Sequence, residues 1–219
     1  MKKKWWKILT VILLTYSILG ALLLDAPRLA ILNETIRNLH FHVTMWFGMI
    51  ILLTASMVYA IRYLRTGNQR FDTYSVEFAN VGILFAVLGL ITGAVWANYA
   101  WGEPWSGDPK QNNSAICLLI YCAYLVLRNS INDDQQRGRI SAIYNILAFA
   151  ALIPLLFILP RMTDSLHPGN GGNPGFNAYD LDSRLRIVFY PAIIGWTLLG
   201  VWMISLRVRM RKIQQALED

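Results

Sequence analysis

The sequence predicts an all-α, polytopic integral membrane protein with six transmembrane helices, and three observations predict it. Of 219 residues, 55% are hydrophobic and only 15% are charged, too apolar for a soluble domain of this size. The apolar residues fall in runs of about 20, the length that crosses a hydrocarbon core as a helix. Basic residues gather in alternate connecting segments, as they do in multi-pass proteins.

The first run, Ile8–Leu24, follows Lys2, Lys3, Lys4 and Lys7. That prelude resembles a signal peptide, but no small-x-small cleavage site follows; Leu22-Leu-Leu-Asp-Ala-Pro comes next. It is read as an uncleaved helix. The second and third runs are Phe41–Tyr63 and Ser75–Tyr99. The fourth is purely apolar only from Ala115 to Leu127, so its start needs a local argument. Asp108 is a good N-cap, Pro109 suits the first helical position, and Gln111 stands three residues after the cap. The fourth helix is therefore expected over Pro109–Leu127. The fifth is Ile140–Leu159, with Pro154 and Pro160 expected to kink or end it. The sixth is Leu185–Leu206. The whole chain, 1–219, reads as one domain.

Charge sets the expected orientation. With six spans and both termini cytoplasmic, the inner segments hold Lys2, Lys3, Lys4, Lys7, Arg62, Arg65, Arg70, Arg128, Arg137, Arg139, Arg207, Arg209, Arg211 and Lys212. That is 14 of the 20 basic residues, against Arg28, Arg37, Lys110, Arg161, Arg184 and Arg186 outside. Omitting the fourth helix would place the Arg207–Lys212 cluster outside, against the rule. Glu77, near the inner end of the third helix, reads as an interfacial residue.

The outer side then collects the unusual chemistry. A loop over about 96–112 carries Trp96, Trp101, Trp105, Asp108 and Lys110, and a second over about 160–184 carries His167. His40 and His42 lie at the outer end of the second helix. Tryptophan is comfortable at a lipid interface, yet a belt does not require the Trp-Gly, Gly-Asp and Asp-Pro steps packed around it. Neutral imidazole is a good metal ligand. Zinc or copper ordinarily needs more ligands than are gathered here, whereas porphyrin iron needs only two axial ones. Indole rings suit a flat apolar macrocycle. Arg37, Lys110, Arg161 and Arg184 share the side where its carboxylates would be met. His40 is better read as a boundary residue. Cys117 and Cys122 fit neither CxxC nor CxxCH and read as core residues. The Gly169–Gly175 run has no strand–helix context, so a phosphate loop is excluded. No nucleophile–base pair is visible, and an enzyme is not expected. Nothing points to nucleic acid.

These residues resemble the haem-handling family of cytochrome c biogenesis, whose tryptophan-rich WWD signature is flanked by two histidines. Thr92-Gly93, Trp96, Trp101-Gly102, Trp105 and Asp108 follow the signature in spacing and type, with Gly107 where it has a further Trp. Leu39-His-Phe-His42 and Leu166-His167-Pro-Gly look like its two histidine segments. Of its branches, size, helix number and two outer histidines fit the CcmC-like one. The Asp-Pro-Lys ending is closer to the CcsA/ResC branch, whose pair of intramembrane histidines is absent here.

The resemblance implies transient haem b as cargo, with His42 and His167 as axial ligands. Trp96, Trp101 and Trp105 would form the platform, Arg37 and Lys110 would meet the propionates, and Asp108 would shape the loop. The implied partners are haem, a periplasmic CcmE-like haem chaperone, other maturation-complex membrane subunits and the lipid bilayer, in a bacterial cytoplasmic (inner) membrane. The rival expectations are a b-type cytochrome for electron transfer and a subunit of a small-solute permease.

Overall fold

The computed structural model describes residues 4–26, 33–167 and 181–218, so the Gly169–Gly175 run lies outside the described residues. Within them the chain is all-helical. In order come α1 (Trp5–Leu23), a 3-10 helix (Asn33–His40), α2 (His42–Thr66), α3 (Gln69–Trp101), α4 (Pro109–Asn129), α5 (Asp134–Ile153) and α6 (Ser183–Glu218). Each expected helix is present. Five stretches are long and apolar enough to cross a membrane: Trp5–Leu23, Glu34–Thr66, Gln69–Trp101, Asp134–Arg161 and Ser183–Leu217. The remaining helix, α4, has 21 residues, about 32 Å at 1.5 Å per residue, but begins Pro-Lys-Gln-Asn-Asn-Ser. Its length suffices to span while its first turn is polar.

The helix ends follow local chemistry. Asn68 caps α3 by accepting from Arg70 N–H at 2.9 Å, and Asp133 caps α5 by accepting from Gln136 N–H at 2.6 Å. These caps start both helices six residues earlier than the apolar runs alone suggest. Pro154 cannot donate to the helical ladder. There α5 passes into a wide π turn, Pro154–Ile158, and then a 3-10 turn, Leu159–Arg161. The regular α-helix therefore ends at Pro154, as expected, and the two turns carry the chain on toward Ser165–His167.

The core lies between α2, α3, α5 and α6, with α4 joining from the side. Met45, Met49, Leu52 and Leu53 of α2 meet Val81, Phe85 and Ala86 of α3, Leu152 of α5 and Ile204 of α6. Glycines allow the approach. A Cβ on Gly48 would stand 2.7 Å from Phe85, one on Gly82 2.7 Å from Leu53, and one on Gly200 2.7 Å from Leu52. Small residues set against large ones suit packing in lipid, where apolar burial gives no separate drive to associate. α1 lies outside this group against α6, with Gly20 seated on Val188 and a wide apolar face exposed.

One end of the bundle is bound by ion pairs. Asp72 at the start of α3 accepts two hydrogen bonds from Arg128 at the end of α4, at 2.5 and 2.8 Å, both side chains buried. Glu77 is 2% exposed and pairs with Arg207 at 2.5 Å and Arg211 at 2.8 Å. α6 runs to Glu218, well past Leu206, and brings these two arginines over it. Deeper in, Asn145 donates to Ser56 and Ser75, which bond each other's carbonyls. The opposite end carries the histidines and tryptophans.

Candidate functional site

The site is built on one face of α3. His42, the first residue of α2, presents Nδ1 to the Gly89 carbonyl at 2.9 Å. One turn on, a Cβ at Gly93 would stand 2.5 Å from His42 Cε1, so only glycine leaves room for the ring. The next turn carries Trp96, its ring centroid 6.4 Å from that of His167. The two imidazoles therefore lie against neighbouring turns of the same helix, Gly93 and Trp96 being about 4.5 Å apart along the axis. Trp46 closes edge-on against His42, and Gly89 gives that indole its space.

Asp108 organises the second half. As the N-cap of α4 it accepts from Lys110 N–H at 2.8 Å. The same carboxylate accepts from Ser165 Oγ at 3.1 Å, Leu166 N–H at 2.8 Å and His167 Nδ1 at 2.9 Å. One buried side chain thus starts a helix and anchors the loop that follows α5. Burial pushes the Asp108 carboxyl upward, but the bonds from His167, Leu166 and Ser165 outweigh it and hold it well below the usual carboxylate range. Burial lowers His167, with the Asp108 hydrogen bond opposing, so the net shift favours neutral imidazole. A neutral ring that donates Nδ1–H to a carboxylate keeps its Nε2 lone pair.

The tryptophans divide. Trp96 and Trp101 meet edge-to-face at 5.1 Å, and Trp101 stands edge-on to His167 at 4.7 Å. These two wall the His167 ring. Trp105 is 43% exposed and donates from Nε1 to Asn112 at 3.1 Å. Asn112 donates in turn to the Gly107 carbonyl at 2.8 Å. Gln111, expected to close a capping box on Asp108, bonds the loop instead. It accepts from Ser106 N–H and donates to the Pro104 carbonyl. The loop is therefore held by the first turn of α4. Gly102 and Gly107 turn it at φ +90° and +73°.

Lys110 lies within electrostatic range of His42, His167, Asp108 and Arg161. Arg37 is tied elsewhere, donating to the Ala21 and Leu24 carbonyls at 2.9 and 2.5 Å and pairing with Glu34. It satisfies carbonyls left open at the end of α1. His40 is 3% exposed, and its Nδ1 has no partner among the described residues. Cys117 is buried in the core and Cys122 is half-buried.

Sequence reading passed over Gly89, Ser165 and Asn112 as parts of the site, and named Gly93 only within the signature. The signal available was the spacing of Gly89, Gly93 and Trp96, which lines one helix face with two residues lacking side chains. His42 and His167 are the residues here that could hold a porphyrin iron. Both histidines have Nδ1 committed to a protein acceptor, and among the described residues neither Nε2 has a hydrogen-bond partner. Among the described residues no group of three His, Cys, Asp or Glu side chains gathers as a bare ion would need.

Comparison with known proteins gives these residues a context. The cytochrome C assembly protein family matches residues 2–167. A cytochrome c biogenesis protein CcsA of Pelargonium hortorum is 41% identical over 93 residues, 42% of this chain and 29% of that one. A CcsA of Synechococcus sp. strain CC9311 is 49% identical over 77 residues, 35% of this chain and 25% of its own. One of Prochlorococcus marinus strain MIT 9303 is 43% identical over 80 residues, 36% of this chain and 25% of its own. The match thus spans little more than a quarter of these relatives. They stand on the CcsA side, which corrects the CcmC-like expectation; the Asp108-Pro109-Lys110 ending was the residue signal for that branch. They come from a plant as well as cyanobacteria, so the membrane is not fixed as a bacterial inner one. The chain belongs to the cytochrome c assembly protein family, and its long apolar helices make it a multi-pass membrane protein.

Proposed function

We propose that this chain is a CcsA-like haem-handling protein that holds haem b as cargo between His42 and His167 and hands it to a partner. The observation that carries the reading is the paired commitment of the two Nδ1 atoms on adjacent turns of α3. That pairing fixes both rings with Nε2 free of other protein bonds among the described residues, the state a metal ligand requires. Trp96 and Trp101 supply apolar walls, and Lys110 supplies a cation for a propionate. Arg37 acts through α1 and the 3-10 helix that leads into His42, as a positioning residue. No side chain makes or breaks a bond in this reading; the protein binds, orients and releases.

The charge pattern supports a site on the outer side, with both termini cytoplasmic. Release then goes to an acceptor on that side, a haem chaperone or a maturation-complex subunit. The b-type cytochrome is the second reading, favoured by the fixed Nδ1 bond that each ring makes. The two differ in whether haem leaves. The test is to load purified protein with haem and add apomyoglobin as a scavenger. Transfer within minutes supports handover, and His42→Ala and His167→Ala, each left with one ligand, should bind haem more weakly and give it up faster. Retention through repeated reduction and oxidation supports the cytochrome.

A further inference from the structure

We propose that Asp108 makes the two histidines unequal, so that His167 is the retained ligand and His42 the one an incoming ligand displaces. The inference rests on the haem reading above and goes beyond it by assigning an order to release. Its basis is the difference between the two Nδ1 acceptors.

His167 donates to a carboxylate whose side chain is 2% exposed. That carboxylate is fixed by three further donors, Lys110 N–H, Leu166 N–H and Ser165 Oγ. A hydrogen bond to an ionised, desolvated acceptor is roughly twice as strong as a neutral one. It draws the Nδ1 proton away and leaves Nε2 a stronger electron donor, as carboxylate–histidine pairs do in other metal sites. His42 donates to a neutral carbonyl. The Gly89 oxygen is also shared, since Thr92 Oγ1 bonds it at 3.1 Å. The His42 ring is placed by the shape of Gly93 and Trp46 more than by charge. Trp96 and Trp101 wall the other ring. Asp108 acts through His167 and is a positioning residue.

Carbon monoxide tests the order directly, because it takes the position of the weaker ligand and reports on the one that stays. Full-length protein is loaded with haem in lipid nanodiscs, reduced and exposed to carbon monoxide, and the C–O stretch is read by infrared. The wild-type band is expected to coincide with that of His42→Ala and to differ from that of His167→Ala. Asp108→Asn keeps a good helix cap but removes the charge. It is expected to raise the C–O frequency in the wild-type and His42→Ala backgrounds and leave His167→Ala unmoved. A wild-type band matching His167→Ala overturns the proposal, and so does an Asp108→Asn band that stays in place. The comparison of the two histidine variants needs no change at Asp108, so it decides the order even if Asp108→Asn does not fold. Wild-type protein that binds no haem, or a haem spectrum indifferent to both histidines, defeats the ligand reading itself as well.

Discussion

Two glycines show how much of the site depends on atoms that are missing. Gly93 leaves a hollow that the His42 ring fills, and an alanine Cβ there would lie 2.5 Å from Cε1. Gly93→Ala should leave helix content unchanged while shifting the ring and lowering haem affinity about tenfold, the scale of outer-shell effects at metal sites. Titration of haem into the purified variant measures it. Gly107 is a different case. No atom crowds its missing side chain, but φ is +73°. Gly107→Trp, which restores the signature residue, should cost about 1–2 kcal/mol of stability from the left-handed backbone alone. Thermal unfolding in detergent reads that loss. The sequence made Asp108 legible as a cap because Asp-Pro is a local signal. Its grip on His167 was not legible, since it joins positions 59 apart in the chain. The role of Arg37 was hidden for the same reason: nothing in its neighbours shows that the end of α1 lies beside it.

At the scale of elements, α4 is the helix whose place is hardest to argue. Its apolar stretch is short, and periodicity alone does not secure it. Its two ends do, through Asp108 with the 165–167 segment and Arg128 with Asp72 on α3. Removing one partner of a buried pair leaves an uncompensated charge. Asp72→Asn should therefore cost about 3–5 kcal/mol. The double change Asp72→Leu with Arg128→Met should recover most of it, as followed by thermal unfolding in detergent. A full loss in the double variant would mean that the bonds of the pair itself, rather than relief of an uncompensated charge, hold α4 in place. The helix starts of α3 and α5 were misjudged from apolar runs because polar first turns, capped by Asn68 and Asp133, are invisible to a hydropathy argument. The break at Pro154 was legible, because a residue without an N–H must interrupt the ladder.

For the whole molecule, the antiparallel order of helices puts the histidine–tryptophan cluster at one end and the Asp72, Glu77, Arg128, Arg207 and Arg211 pairs at the other. Composition and run length made that architecture readable before any contact was known. The branch was less readable, since a short Asp-Pro-Lys ending was outweighed by chain size and histidine count. If α4 spans, the two termini share a side. Reporter fusions at either terminus should then both be active in the cytoplasm, whereas opposite signals would mean five crossings. The central claim, that His42 and His167 jointly hold haem over α3, is tested most directly by one spectrum. Reduced-minus-oxidised absorbance of purified wild type should show sharp, low-spin bis-histidine bands. Both His42→Ala and His167→Ala should lose them. A wild type without a Soret band, or variants whose bands match it, would contradict the account.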